Sequence, residues 1–330
     1  MKNQLTIIGL GQIGASFGMA LGKYQDEITR IGHDKSRSVA KQAKSQGAVD
    51  KITITLSGAV SEADLIILAL PLHEIRETLE HIAADLQPGT LVIDTAPIKR
   101  PVIEWMDALL PEGCSYVGLI PALQADYLEE NIFGVETAHQ DLFAGCQMAV
   151  VSGNQSPTEA IQAATNLVGL VGADPFFADA AEIDGLMGMT HVLPQLVAAS
   201  LLRITQDAPG WRDARKISGK AFTQTTLPLV PDDIPEALAS AAVHNKENTV
   251  RLLDDLIREL VSLRDDTQED NQEELAEKFI RMQQGRDLWW QDRQKNNWSD
   301  FSSPAIPQRS MLADLLGFKT FSRKKDDADS

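Results

Sequence analysis

Residues 5–16 read Leu-Thr-Ile-Ile-Gly-Leu-Gly-Gln-Ile-Gly-Ala-Ser, a short apolar strand that runs straight into a glycine-rich turn and an apolar helix of small residues. That order leaves little choice of fold. Gly9, Gly11 and Gly14 keep the G-x-G-x-x-G spacing, and each has a physical task. The first makes the tight turn, the second lets backbone approach a pyrophosphate, and the third lets the helix pack closely on the strand. The pyrophosphate then lies at a helix N-terminus, where free N–H groups and the helix dipole favour negative charge. Leu10, Gln12 and Ile13 complete the turn and are assigned to the same site. The next strand, Ile28-Thr-Arg-Ile-Gly-His-Asp34, ends on an acid. A carboxylate there accepts hydrogen bonds from ribose hydroxyls and repels a 2′-phosphate. NAD is therefore the expected cofactor, with NADP kept open by Ser36 and Arg37 just beyond.

The alternation of elements extends this to an N-terminal doubly wound (Rossmann) parallel sheet, class α/β. Ala63–Leu70 and Thr90–Asp94 are near-continuous apolar runs, as expected of strands buried on both faces. Ser115–Leu119 is a further strand, and Gln147–Val151 is expected to be the last. Helices are expected over His73–Ala84 and Pro101–Leu110. Ligands of such sheets sit outside the C-terminal ends of the strands, which assigns Leu70, Pro71, Thr95 and Ala96 to the cofactor site. From Pro157 the pattern turns helical. Asp184–Thr205 reads as a buried helix broken or kinked near Pro194. Asn248–Leu263 carries apolar residues at helical spacing, and Gln272–Trp290 is a third long helix. The expected domains are 1–155, the sheet; 156–295, all helical, completing a substrate cleft and forming a homodimer; and 296–330, a polar, partly disordered tail.

The chain has 330 residues and a net charge of −17, which argues against nucleic-acid or membrane-surface partners. Two cysteines, Cys114 and Cys146, supply neither a disulfide framework nor a metal cluster. No leader is read before the first strand and no apolar run long enough for a bilayer, so the expected location is cytoplasmic. Against so acidic a background, Arg212, Arg215, Lys216 and Lys220 are a notable basic cluster. The first three, with Lys99, are the candidates for binding a small anionic substrate.

Several stretches, taken in order, resemble the prephenate/arogenate dehydrogenase family of tyrosine biosynthesis. They are the turn at 7–16, Leu-Ala-Leu-Pro-Leu (68–72), Val-Ile-Asp-Thr-Ala-Pro-Ile-Lys (92–99) and Tyr-Val-Gly-Leu-Ile-Pro (116–121). Asp141-Leu-Phe-Ala-Gly, Asp184 to Pro194, Trp211-Arg-Asp-Ala-Arg-Lys-Ile-Ser and His244-Asn-Lys-Glu-Asn follow. The resemblance implies a hydride transfer to NAD(P)⁺ from the ring carbon bearing a hydroxyl, proton removal by a histidine, and loss of CO₂. This chain departs from the family at the chemistry. Ile120 stands where Gly-x-His-Pro has its catalytic histidine, and Pro97 stands at the serine of Asp-x-x-Ser-x-Lys. The histidine of Ser-His-Leu-Pro is displaced by one place in His191-Val-Leu-Pro194, and Lys216 replaces the substrate arginine. The loop between Pro121 and Asp141 is longer than the family's.

An isoleucine cannot accept a proton. His191, with Thr190 beside it, is the candidate catalytic replacement; the bland alternative is a hydrogen-bonded structural histidine. His73 and His139 are weaker candidates, more simply read as a solvated helix start and a surface position, while Arg100, beside Lys99, either neutralises a substrate carboxylate or is solvated. The leading reading is an NAD(P)-dependent oxidoreductase of a small carboxylated substrate. The alternatives are a non-catalytic nucleotide-binding homologue with a regulatory role, and a dehydrogenase for a different hydroxy acid.

Overall fold

A computed structural model describes residues 3–296 and 298, apart from 131–132, 232–233 and 270. The chain forms two compact units, dividing after Asp184. The first is built on one eight-stranded sheet in the order β3-β2-β1-β4-β5-β6-β7-β8. Its strands are β1 (Asn3–Ile8), β2 (Ile28–His33), β3 (Lys51–Ile52), β4 (Leu65–Leu68), β5 (Leu91–Asp94), β6 (Ser115–Pro121), β7 (Gln147–Ser152) and β8 (Asp174–Phe177). All neighbouring pairs are parallel except β6 with β7. Strand order reverses between β1 and β4, the place where such sheets open a crevice. Helices α1 (Gln12–Ala20), α2 (Arg37–Ser45), α3 (Leu56–Val60), α4 (Leu72–Ile82), α5 (Arg100–Leu109) and α6 (Thr158–Leu170) belong to this unit.

The apolar runs explain the sheet. Every residue of β4 and β5 is buried, which a strand tolerates only when helices cover both faces. Arg30 sits inside this otherwise apolar layer because its guanidinium is fully engaged. It bonds Asp50 at 2.7 Å and the carbonyls of Gly18 and Gly47 at 2.7 and 3.0 Å.

Two differences from the sequence reading concern the boundary. Gln147–Val151 is not the last strand, since β8 pairs in parallel with β7 after α6. The sheet unit thus runs past residue 155. Strand β8, Asp-Pro-Phe-Phe, is an edge strand largely exposed to solvent, so it lacks the apolar run that marked β4 and β5.

The second unit is helical: the end of α7 (Ala180–Met187), a π-helical turn at Gly188–Val192, then α8 (Leu193–Gln206), α9 (Trp211–Ile217), α10 (Lys220–Thr226), α11 (Ile234–His244), α12 (Lys246–Gln268) and α13 (Gln272–Lys295). The interruption expected near Pro194 takes the form of a π turn just before it. The stretch is also less buried than expected, with Leu186 and Met189 exposed. By length and composition Ala180–Gln206 is apolar enough to cross a bilayer, which corrects the expectation that no such run exists. A single helix of this kind is weak evidence for a membrane span and is common within helical domains. The tail expected over 296–330 lies outside the described residues except for Asn296 and Trp298.

The glycine turn sets the tightest tolerances. Gly9 has φ +88°, and a Cβ there would meet the Ala69 carbonyl oxygen at 2.3 Å. A Cβ on Gly14 would meet the Gly9 carbonyl oxygen at 1.9 Å, whereas one on Gly11 meets nothing within 4 Å. Gly14→Ala is therefore expected to lower the Tm by several degrees, at about 2–4 °C per kcal/mol for a unit this size. Gly11→Ala should leave the Tm within a degree or so while abolishing dinucleotide affinity, because only the ligand would need that space. Calorimetric melting and NAD⁺ titration of both variants check the contrast.

Candidate functional site

The loops at the C-terminal ends of β1, β2, β4 and β5 form one neighbourhood. Asp34, directly after β2, accepts the backbone N–H of Leu10 at 2.8 Å and that of Ser36 at 2.8 Å. The Gly9 N–H donates to the His33 carbonyl at 2.9 Å, so the glycine turn and the β2 exit are tied at two points. An ionised carboxylate has about four lone-pair sites, so Asp34 keeps acceptor capacity for ribose hydroxyls. The open space above Gly11 and the half-buried N-terminus of α1 at Gln12 and Ile13 fit a pyrophosphate. Leu70, Pro71 and Thr95 are partly accessible at the ends of the neighbouring strands, and Ala96 is buried behind them. The Gln12 side chain is turned away to the Thr137 carbonyl at 3.1 Å, leaving only its backbone for a ligand.

The β5 exit is organised by a buried polar cluster whose members, other than Lys99, sequence reasoning passed over. Lys99, fully buried, places its ammonium 2.8 Å from both carboxylate oxygens of Asp94. The Tyr116 hydroxyl donates to Asp94 Oδ1 at 2.6 Å, and the Ala96 N–H to Oδ2 at 2.7 Å. Asp184 accepts the N–H groups of Lys99 and Arg100 at 2.6 and 3.2 Å, capping α5 from far along the chain. Burial holds the Lys99 pKa below the usual lysine value, against the pull of Asp94 and Asp184. Burial likewise raises Tyr116, helped by Asp94, and raises Asp184. Lys99 was expected to meet a substrate anion; the structure places its charge on Asp94 in the interior. The available signal was Asp94 itself, an acid closing an apolar strand, with a lysine five residues on.

Near the end of β6, Ile120 pairs with Ala149 and offers no polar atom. Pro97 and Ile98 on the neighbouring β5 exit are equally inert. The other histidines of this unit do not fill the gap. His73 lies beside Glu74 at 3.7 Å with its Nδ1 buried and unbonded among the described residues. His139 stacks on Tyr127 at 4.0 Å and bonds Glu130 at 3.1 Å, and its backbone N–H donates to Ser16 Oγ at 3.0 Å. It is a fixture of the long β6–β7 loop.

In the helical unit, His191 is an exposed residue on the π turn. Such a turn takes up one residue more than an α-helical turn. That is the number of places by which His191 stands displaced from its Leu-Pro sequence in the family comparison. Desolvation holds the His191 pKa below the usual histidine value. Thr190, expected to assist, turns its hydroxyl back onto the Leu186 carbonyl at 2.8 Å. Arg212, Arg215 and Lys216 are exposed on the short helix α9, with Lys216 paired to Asp213 at 2.6 Å. Lys220 is exposed at the start of α10.

The tyrosines report on this arrangement. The hydrogen bond to Asp141 pushes Tyr127 up to about 12, and Tyr116 lies higher than the free side chain. A group raised on folding contributes its full stabilisation below its unfolded value, about 10, and loses it as pH climbs through the folded value. In an alkaline titration read by tyrosinate absorbance, the Tyr116 signal should therefore appear only with unfolding, and Tyr116→Phe should remove that component alone.

Comparison with known proteins identifies the family. Residues 17–175 match the family described as prephenate dehydrogenase, nucleotide-binding domain, and residues 179–281 that described as prephenate dehydrogenase, dimerization domain. Prephenate dehydrogenase of Bacillus subtilis is 26% identical over 87% of this chain and 76% of its own length. Cyclohexadienyl dehydrogenase of Zymomonas mobilis is 24% identical over 86% and 94%. Among solved structures, prephenate dehydrogenase from A. aeolicus, in complex with hydroxyphenyl propionate and NAD⁺, superposes with a TM-score of 0.73 at 21% identity, covering 87% of this chain and 98% of that one. The two domain matches together span most of the sequence, and the chain belongs to the prephenate dehydrogenase family, an oxidoreductase built from a nucleotide-binding and a dimerization domain.

Proposed function

We propose that this protein oxidises a small carboxylated substrate of the prephenate or arogenate class with NAD⁺. The observation that carries the reading is the intact nucleotide cradle, in which Asp34 is held by the turn it serves. NAD⁺, when bound there, supplies the hydride acceptor. The chain's own residues do the rest. Gly9, Leu10, Gly11, Gln12, Ile13 and Gly14 hold the pyrophosphate, and Asp34 the ribose. Leu70, Pro71, Thr95 and Ala96 flank the same loops. Arg212, Arg215 and Lys216 are the candidate cations for substrate carboxylates, and His191 is the candidate histidine for the substrate. Lys99 supports this indirectly, by fixing the β5 exit through Asp94.

The proton-accepting step is where this chain departs from its relatives. With Ile120 in place of a base, turnover of prephenate is expected to be slow, since a general base typically contributes about 10²–10⁴-fold. Ile120→His should restore a large part of that factor if the remaining pocket suits the substrate. The assay is reduced-cofactor absorbance with prephenate and with arogenate, alongside calorimetric titration of NAD⁺ and NADP⁺. NAD⁺ binding with slow turnover in the parent and faster turnover in Ile120→His supports the reading. Failure to bind either nucleotide overturns it. NAD⁺ binding with no turnover in the parent favours the non-catalytic alternative.

The reading extends to a homodimer formed through the helical unit, which matches a dimerization domain. Its support is the apolar surface of α12, where Val250, Ile257, Leu260 and Val261 are exposed, and of α13, where Phe279, Met282, Leu288 and Trp289 are. Exposed apolar area of this kind marks an interaction surface. Sedimentation should give a dimer, and the double substitution Ile257→Asp, Leu260→Asp should shift it to monomer.

A further inference from the structure

The π turn brings together a histidine and an amide whose hydrogen bonds settle each other's chemistry. Gln195 is buried at the start of α8, with 7% of its surface exposed. Its Nε2 donates to the His191 carbonyl oxygen at 3.1 Å. A carbonyl oxygen only accepts, so the amide edge facing His191 is the nitrogen. The same Nε2 lies 3.2 Å from His191 Nε2. An NH₂ group has two hydrogens, and the second points at the ring. His191 Nε2 must then present its lone pair, which puts the ring hydrogen on Nδ1. An imidazolium would set N–H against N–H and lose this bond.

The surroundings favour the same form. The shift at His191 comes from desolvation, with no charged side chain among its causes. Thr190, the nearest hydroxyl in sequence, is committed to the Leu186 carbonyl.

We infer that His191 serves the proposed site as a neutral hydrogen-bond donor through Nδ1, with Gln195 as the positioning residue that fixes this tautomer. This rests on the reading of His191 as a substrate-facing group and deepens it. The lone pair a general base would use is already engaged by Gln195, so His191 does not replace the family's missing proton acceptor. It instead offers N–H to an oxygen of the substrate, and the hydroxyl proton leaves to water. Gln195 touches no substrate and acts only through the ring.

Nitrogen-resolved NMR of the imidazole rings tests this on the whole protein without any substrate, the His191 signal being assigned by its loss in His191→Asn. The expected result is the Nδ1–H tautomer with protonation only below the ordinary histidine value of about 6.5. Gln195→Glu, whose carboxylate accepts rather than donates, should raise the proton affinity of His191 ten-fold or more. Gln195→Leu should scramble the tautomers and move the affinity less. An Nε2–H tautomer in the wild type, or protonation at or above the ordinary value, overturns the inference whether or not the variants fold. With a turned-over substrate, kcat/KM should show no limb from His191 near neutrality in the wild type and acquire one in Gln195→Glu. A wild-type limb abolished by His191→Asn overturns the donor role. The tautomer can hold while prephenate turnover fails, so this inference and the choice of substrate are judged separately.

Discussion

The ion pair of Lys99 with Asp94 is the constraint around which the sheet unit's functional edge is arranged. A fully buried ammonium is tolerated only with its charge matched and its hydrogens placed. Meeting that condition commits the last residue of β5, the first residue after its exit loop, the Tyr116 hydroxyl on β6 and the backbone of the intervening loop. Gly118 belongs to the same requirement, since a Cβ there would come within 2.9 Å of the lysine chain. Asp184 extends the network to α7 by capping α5. The loop that carries Thr95 and Ala96 is thus held from several sides by groups that never touch a ligand, which is how a scaffold keeps a site rigid.

The nucleotide half of the site was open to reading because its physics is local. A strand, three glycines and an acid at the next strand's end are close in sequence, and each does one thing. The structure adds only that Asp34 is fastened to Leu10. The buried cluster was harder to see because its parts are drawn from residues 94 to 184, and a lysine looks the same in sequence whether solvated or buried. Strand β8 was missed for another reason. It lies at the exposed edge and lacks the continuous apolar run of the central strands. The helical unit was legible as helices, but not as surfaces. Periodicity marked the stripe of α12, and only the fold shows that Ile257 and Leu260 remain exposed while Leu252 is buried.

Family membership and chemical capability separate in this chain. The order of the two domains is the family's, whereas Ile120, Pro97 and Ile98 at the ends of β5 and β6 carry no titratable group. Ile120 cannot hold a proton, and two of the candidate histidines are committed to other partners: His139 to Glu130 and Tyr127, His191 to Gln195.

The long connection between β6 and β7 has a consequence of a different kind. It is fastened to α1 through Gln12 and Ser16, to α2 through Gln42, and internally by the Tyr127–His139 stack. Lengthening a loop is cheap in chain entropy, about 0.6 kcal/mol for each doubling. A segment so short of cost and so well moored can gain or lose residues between its fastenings without disturbing the helix that carries the dinucleotide turn. It is the natural place for lineages of this fold to diverge in length while their nucleotide-binding core stays the same.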